Sequence, residues 1–478
     1  PSCPGPWSKV LFKGSFNVSE GIQFDRTANI QLGYVNIYFG TTEEPSPDSA
    51  PAWNVQRDLT DYSSLFTAAQ TGEVDIYNIV NSEYTGIIYG TATLEFYPVA
   101  KKGTPPVTAD VVYPLPNGPG APYALNTGSD QLTATFTLPT NVERAYLDVV
   151  SQGQSGDEFW YTCVPNDVSG ELYSCGNTAF RETEISIDGQ PAGVAPIFPW
   201  IFTGGIDPYL WIPIPGVQTL NFVPYRVDLT PFAGLLSNGQ PHTIALSVFN
   251  ANSYFQAVAS LLVYEDHGSA QVTGAVTANT LTAPNPVVQE NLNVDPSGNI
   301  TGTVGVKSSH VFTITGYVNT SHGKVTTSIS QTENFSNLQN FDITSTVYQQ
   351  DIMQGTTVNS QTSTTDKSGT NVVSSQFAFP LTVDIAQYPN AQGTAQVTSI
   401  SQTYGSTKTD GANPPSSLVE SVETTDTLQF DPNFNLIGNS NQKSLGQATG
   451  AANGKCVSIL TTAANNVITG QTSGKGCQ

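Results

Sequence analysis

A chain of 478 residues is long for one ordinary core and is read as two or three domains, each large enough to bury its own apolar interior. A hydrophobic content of 38% with 10% aromatic residues excludes a disordered polypeptide, and no apolar run approaches the roughly 18 residues of a membrane span. The net charge of −22 excludes nucleic acid and anionic membranes as expected partners, because both are polyanions that would repel it.

The chain opens at Pro1-Ser2-Cys3-Pro4 with neither an initiator Met nor a signal peptide, so a processed form is expected. In chain order, short runs rich in Val, Ile, Tyr and Thr predict strands at Ala28 to Phe39, Val74 to Val80, Gly86 to Tyr97, Arg144 to Val150, Arg181 to Ile187, Thr243 to Phe249 and Ala257 to Tyr264. Gly, Pro, Asn and Asp punctuate them, and the best helical pattern is a short turn near Tyr62 to Ala69. The fold class is therefore all-β.

An internal repeat refines this. Arg57-Asp58-Leu59-Thr60 leads into Val74 to Asn81 and Ala92 to Tyr97, and Arg226-Val227-Asp228-Leu229-Thr230 leads into Ile244 to Asn250 and Ala259 to Tyr264. Two tandem jelly-roll-like β-sandwich domains would produce it, residues 1–115 and 116–270. Asp58 and Asp228 occupy equivalent places, where they read as turn caps. Beyond His267 Arg and Trp vanish while Ser, Thr, Gln and Asn rise. This marks a linker over 271–299 and a third, C-terminal β-rich domain over 300–478, with strands expected at Val311 to Val318, Lys324 to Ile329, Phe377 to Ile385, Ala395 to Ser401 and Leu418 to Phe430.

Five cysteines fit an oxidised protein with two local bridges, Cys163 with Cys175 and Cys456 with Cys477, leaving Cys3 unpaired or joined to a segment outside the chain. Sequons at Asn17, Asn299, Asn319 and Asn334 suit a secretory route. All four histidines lie at His242 or later and show no metal-ligand spacing. Neither a metal nor a nucleotide cofactor is expected, and a Cys/His/Asp mechanism is disfavoured.

The chemistry concentrates in Asp157-Glu158-Phe159-Trp160-Tyr161, Phe180-Arg181-Glu182, and Phe198 to Pro208 followed by Leu210-Trp211. Carboxylates move protons and activate water while flat rings stack on sugars, so this mixture suits a carbohydrate-active hydrolase. Asp157 is read as the principal acid/base, with Glu158 or Glu182 orienting water. In a strand, adjacent Asp157 and Glu158 would face opposite ways, so only one would enter a cleft. Trp160, Tyr161, Arg181, Trp200, Gly204, Gly205, Asp207 and Trp211 form the candidate substrate-binding set. Each has a plainer reading: Asp157 as a turn stabiliser, Glu182 as a solvated residue or partner of Arg181, the tryptophans as core, and the glycines as a turn.

Together with Tyr225 to Phe232, these segments resemble the peptide:N-glycanase A family of plants and fungi, and Phe312 to Thr327 extends the resemblance into the third region. The resemblance implies a secreted, acid-active amidase that hydrolyses the bond between the innermost N-acetylglucosamine and asparagine, releasing the intact glycan and leaving aspartate. Its substrates would be N-glycoproteins and N-glycopeptides, and its form a monomer or a nicked two-chain protein. A more distant resemblance to bacterial peptide:N-glycanase F implies two jelly rolls with a carboxylate-lined cleft between them. The rival readings are an endo-acting glycosidase and a non-catalytic carbohydrate-binding jelly-roll protein.

Overall fold

The computed structural model describes residues 3–46, 49–411 and 413–475. It is all-β, with helix confined to short 3-10 turns and the four-residue α-helix Ala233–Leu236 among the described residues. The first unit has six strands: β1 Trp7–Val18, β2 Thr27–Leu32, β3 Val35–Thr41, β4 Ala52–Asp58, β5 Gly72–Ile76 and β6 Ile88–Pro98. They form sheets of order β4-β1-β6 and β3-β2-β5, packed face to face. Val10, Phe12 and Phe16 of β1 turn inward onto Tyr38 and Trp53, as the period of two requires. The stretch 28–39, expected as one strand, is a hairpin, because Gly33 and Tyr34 take φ of 55° and 66° and reverse the chain.

The second unit contains β7 Val111–Leu115, β8 Tyr123–Leu125, β9 Leu132–Thr137, β10 Val142–Gln154, β11 Glu182–Ile187, β12 Gln190–Pro196, β13 Tyr225–Asp228, β14 Pro241–Val248 and β15 Tyr254–Glu265. Its sheets run β13-β10-β15-β7 and β12-β11-β14-β9, with β8 added beside β15. Leaving β8 aside, that is the strand order of an eight-stranded jelly roll, in which two Greek keys interleave across the two layers. The internal repeat has a local basis: Asp58 and Asp228 each accept a hydrogen bond from the backbone N–H two residues on, at 2.9 Å, and each precedes a 3-10 turn.

The third unit is one sheet built from β16 Thr273–Asn279, β17 Val287–Val294, β18 Ile300–Thr320, β19 Gly323–Ile343, β20 Tyr348–Asp366, β21 Gly369–Asn390, β22 Gly393–Asp410, β23 Ser416–Phe430, β24 Leu436–Ala452, β25 Lys455–Ala464 and β26 Val467–Lys475. It proceeds as an antiparallel meander from β18 to β26. The 271–299 stretch expected as a linker is largely strand, since β16 and β17 both pair with β18. The stretches expected as strands lie within β18, β19, β21, β22 and β23, whose full length, with β20 and β24 to β26, escaped periodicity reading because the inward positions are so often Gln, Ser and Thr.

This sheet packs on the second sandwich in a shared core that includes Phe180, Phe198, Phe335, Phe379 and Tyr404. Gly316 permits the approach, since a Cβ there would overlap the backbone of Pro231. A buried ionic contact fastens the same joint. His310 on β18 places Nδ1 3.1 Å from both carboxylate oxygens of Glu182 on β11 and Nε2 2.8 Å from the Thr282 carbonyl. Both ring nitrogens meet acceptors, so only the doubly protonated imidazolium satisfies the geometry. Burial pulls its pKa down, but the Glu182 hydrogen bond and charge, with Glu184 assisting, leave a net upward shift. Buried Glu333 faces the same carboxylate and is pushed well up by burial and by the Glu182 charge.

A raised histidine contributes stability that is fully present below its ordinary value of 6.5 and lost as pH rises through the raised folded value. His310→Gln is expected to lower stability by about 3 kcal/mol at pH 5.5 by stranding Glu182, and by distinctly less at pH 9. Thermal unfolding at the two pH values checks this, and an equal loss at both would contradict it.

Candidate active site

The two sandwiches meet along the outer edge of β3. Thr41 N donates to Thr219 O at 2.9 Å, Phe222 N to Phe39 O at 2.9 Å, and the Tyr38 hydroxyl to Leu220 O at 2.7 Å. Phe39 and Phe222 pack edge to face behind these bonds. The β2–β3 hairpin delivers two carboxyls to this junction, because Thr27 and Thr41 are paired and the chains on either side remain adjacent. Arg26 N donates to Thr42 Oγ1, Thr42 N to Arg26 O, and Asp25 N to Glu44 Oε1 at 3.1 Å. Asp25 and Glu44 thus lie side by side though 19 residues apart.

The second sandwich supplies the rest. Gly204 N donates to Asp25 Oδ2 at 3.0 Å and Thr203 Oγ1 to Thr42 O at 2.9 Å. A Cβ on Gly204 would displace the Glu44 carboxylate, so glycine lets that carboxylate rest against the backbone here. Glu158 follows the end of β10, where Gln154 Nε2 donates to Thr27 Oγ1 and ties the loop to the first sandwich.

Burial pushes Asp25 upward, opposed by the Gly204 N–H and by Arg26. Glu44 is pushed up to about 7 by burial and then by the Asp25 charge, against a backbone hydrogen bond and Arg26. Glu158 is pushed up to about 7 by burial and then by the charges of Asp25 and Glu44. Three half-buried carboxyls therefore share one electrostatic site, with Arg26 as its cation. Arg26 lies over the rings of Phe24 and Tyr84, its centre 5.7 and 5.3 Å from their centroids, and is oriented by Gln23 Oε1. Phe24 and Tyr77, both more than half exposed, stand open to solvent on the first-sandwich side. Tyr254 flanks Glu158 on the other.

Of the residues singled out from sequence, Glu158 is in this cluster, Gly204 donates to it, and Gly205 lies one residue on with its carbonyl accepting from Trp211 Nε1 at 2.9 Å. The others lie elsewhere. Asp157 is fully buried and paired with Arg181 at 2.9 Å, its second oxygen accepting from Asn252 N and Ser253 N. Arg181 is likewise internal, so neither side chain is open to solvent. Glu182 is held by His310 in the joint to the third unit. Asp207 caps the turn Pro208–Trp211 through Tyr209 N and is raised by burial and by its partner Asp426, a buried carboxyl pair satisfied when it shares a proton. Trp160, Tyr161, Trp200 and Trp211 are core: Trp160 packs near Phe335, Trp200 on Phe222 and Phe198, and Tyr161 is wholly enclosed.

Asp25, Arg26 and Glu44 were missed. The signals available were Phe24-Asp25-Arg26, an aromatic, a carboxylate and a cation in succession, and Glu43-Glu44-Pro45 in a chain with only 11% charged residues.

Cys163 and Cys175 form a disulfide beside the Asp157 turn. Cys3 has no disulfide partner among the described residues, and the expected Cys456 bridge involves Cys477, which lies outside them. Among the described residues one group has metal-ligand chemistry, Glu143, Asp266 and His322. Asp266 already accepts from Gly268 N, Ser321 N and Ser321 Oγ, and the group lies at the opposite end of β10 from the carboxyl cluster.

The family model for peptide N-acetyl-beta-D-glucosaminyl asparaginase amidase A matches residues 1–282. The chain is 32% identical over 334 residues to peptide-N4-(N-acetyl-beta-glucosaminyl)asparagine amidase A of Prunus dulcis, a match covering 66% of this chain and 57% of that protein. It therefore spans little more than half the length of that relative. Among solved structures it is similar to PNGF-II, with a TM-score of 0.39 and 14% identity over 55% of this chain and 58% of the other. It is also similar to recombinant peptide:N-glycanase F, with a TM-score of 0.36 and 13% identity over 54% and 85%. Likeness at that level carries no argument about chemistry.

Carboxyls raised in the folded state contribute stability that is present below their ordinary value of 4.5 and lost as pH rises toward 7. Asp25→Asn removes one like charge and keeps an acceptor for Gly204 N–H. Its unfolding temperature is expected to match the wild type near pH 4 and exceed it at pH 7.5. A lower value at both would contradict the coupling.

Proposed function

The chain belongs to the peptide N-acetyl-beta-D-glucosaminyl asparaginase amidase A family, and on that footing we propose that its carboxyl cluster hydrolyses the amide joining the innermost N-acetylglucosamine to asparagine. The observation that carries the proposal is the convergence of Asp25, Glu44 and Glu158 at the sandwich junction, where burial pushes all three upward and the Gly204 N–H and Arg26 oppose that push at Asp25. Asp25 is raised by burial but is the one member that accepts a backbone N–H, from Gly204, and lies beside Arg26, and it is assigned to take a proton from water. Glu158, held partly protonated by burial and by two neighbouring carboxyls, is suited to give one. Glu44, bonded to Asp25 N, fixes the spacing.

In the proposed step the water oxygen bonds to the side-chain carbonyl carbon as Asp25 removes a proton, and Arg26 stands where it can neutralise the oxyanion. Glu158 protonates the departing nitrogen as the C–N bond breaks, leaving aspartate and a glycosylamine. A proton passed from Asp25 to Glu158 restores the site. The exposed Phe24 and the Tyr77–Tyr254 side supply faces for sugar and peptide.

Mildly acidic working conditions follow from this reading, since Glu44 and Glu158 lose their protons near pH 7. Secretion is part of the same proposal. The Cys163–Cys175 bridge and the exposed sequon residues Asn17, Asn319 and Asn334 support it.

The test is mass spectrometry of an N-glycopeptide incubated with the protein at pH 5 in oxygen-18 water. Labelled aspartate with release of the intact glycan is expected. A peptide retaining one N-acetylglucosamine would mean a glycosidase, and unchanged glycopeptide a binding protein. Asp25→Asn and Glu158→Gln are each expected to reduce turnover by about 10²- to 10⁴-fold with folding intact. Glu182→Gln is expected to act on stability first, and a folded Glu182→Gln protein with a comparable turnover loss would overturn the assignment.

A further inference from the structure

A cavity of about 710 Å³ lies between the second sandwich and the concave face of the long sheet. The carboxyl cluster follows the far end of β10, whereas Glu143, Arg144 and Tyr146 at its near end border the cavity. About 25 Å of strand separates the two places. The mouth is edged by exposed Asn371 and His322, and the floor by buried Val194, Val227 and Phe312.

One wall is made by strand register. Phe312, Gln331, Ser360, Ser375 and Lys408 stand opposite one another across five strands. Four residues along, Thr327, Thr364 and Asn371 form a parallel row. These rows present hydroxyls and amides about 4.8 Å apart from strand to strand. The other wall carries aromatic rings: Tyr225, packed on Phe377 with centroids 5.0 Å apart, and Tyr264, beneath Arg144 at 4.5 Å. One strut crosses between them, from Thr362 Oγ1 to Asp228 Oδ2.

Gln331 points to an occupant. It is 6% exposed, it lines the cavity, and its Nε2 has no hydrogen-bond partner among the described residues. A buried amide left unpaired is costly, and a ligand acceptor would satisfy it. The charges of the inner part are matched: Arg226 is bound by Asp148 and Asp61, Arg144 by Glu143, and Asp228 by Thr230 and Thr362, while exposed Lys408 stands toward the mouth with Asp410, which accepts from Asn371, and Asp366, which accepts from Ser368. What remains available around Gln331 is neutral donors, neutral acceptors and ring faces.

We infer that this cavity is a second binding site, separate from the carboxyl cluster, for a neutral oligosaccharide of roughly two or three sugar rings. Gln331 donates to a sugar oxygen, the Ser and Thr rows meet hydroxyls, and Tyr225 or Tyr264 offers a stacking face. This inference does not depend on the amidase reading, because it concerns binding alone.

The test is calorimetric titration of the intact protein with chitotriose, mannotriose and anionic sialyllactose, using wild type, Gln331→Leu, Ser360→Trp and Asp25→Asn. A neutral trisaccharide is expected to bind wild type and Asp25→Asn alike. Gln331→Leu is expected to weaken it at least 10-fold with an unchanged or higher unfolding temperature, since its Nε2 donates no hydrogen bond in the empty protein. Ser360→Trp is expected to abolish binding by filling the space. If that variant fails to fold, Gln331→Leu decides. Binding unchanged in Gln331→Leu, binding lost in Asp25→Asn, preference for sialyllactose, or no neutral binding at millimolar concentration would each overturn the inference. Hydrolysis of a short glycopeptide by Gln331→Leu, read alongside, is expected to stay at the wild-type rate.

Discussion

The buried ion pair between Asp157 and Arg181 is the constraint on which the active-site region rests. Two charges removed from water need partners, and here Asp157 takes Arg181 on one oxygen and two backbone N–H groups on the other, while Arg181 gives its remaining Nη to the Thr178 and Phe180 carbonyls and leaves only its Nε without a partner among the described residues. The pair fixes the 3-10 turn after β10, and a turn that sends Asp157 inward sends Glu158 toward the first sandwich. Adjacent carboxyls thus acquire opposite duties. One joins the interior, and the other enters a cluster completed by Asp25 and Glu44 from a different domain.

That arrangement makes the cluster a property of the sandwich junction and of neither sandwich alone. The β2–β3 hairpin brings Asp25 and Glu44 together, and Gly204 approaches closely enough to hydrogen-bond the one and to leave space for the other. The third unit takes no part in the cluster but braces the jelly roll behind it. Beside amide hydrogen bonds such as Gln402 to the Pro199 carbonyl, two of its fastenings, His310 on Glu182 and Asp426 on Asp207, are complete only when protons are abundant. Cluster and joint therefore favour the same acidic conditions for separate physical reasons: like charges at the one, and a histidine and a shared carboxyl proton at the other.

The all-β class and the paired sandwiches were legible in the sequence because short Val, Ile and Tyr runs with Gly and Pro punctuation have few other solutions. The repeat around Asp58 and Asp228 was legible because a turn cap is a local device. The site was only half legible. The limit noted for Asp157 and Glu158 assumed a strand, whereas they lie at a 3-10 turn, and nothing local says which of the two turns inward there. That depends on Arg181 and on the backbone of Asn252 and Ser253, far along the chain. Tryptophans near carboxylates suggested sugar stacking, yet large rings in a sandwich gain more from burial, and the rings left open are those of Phe24 and Tyr77. Asp25 and Glu44 sit in loops with no periodic pattern, and only tertiary contact joins them to Glu158.

The proposed hydrolysis depends on where the scissile amide lies. A crystal structure of the Asp25→Asn protein with a bound N-glycopeptide tests it directly. The account places the amide carbon about 3 to 3.5 Å from a water or side-chain oxygen at position 25, with its nitrogen toward Glu158 and its carbonyl toward Arg26. A glycopeptide bound with its amide outside this junction, and with Asp25, Glu44 and Glu158 untouched, would contradict it.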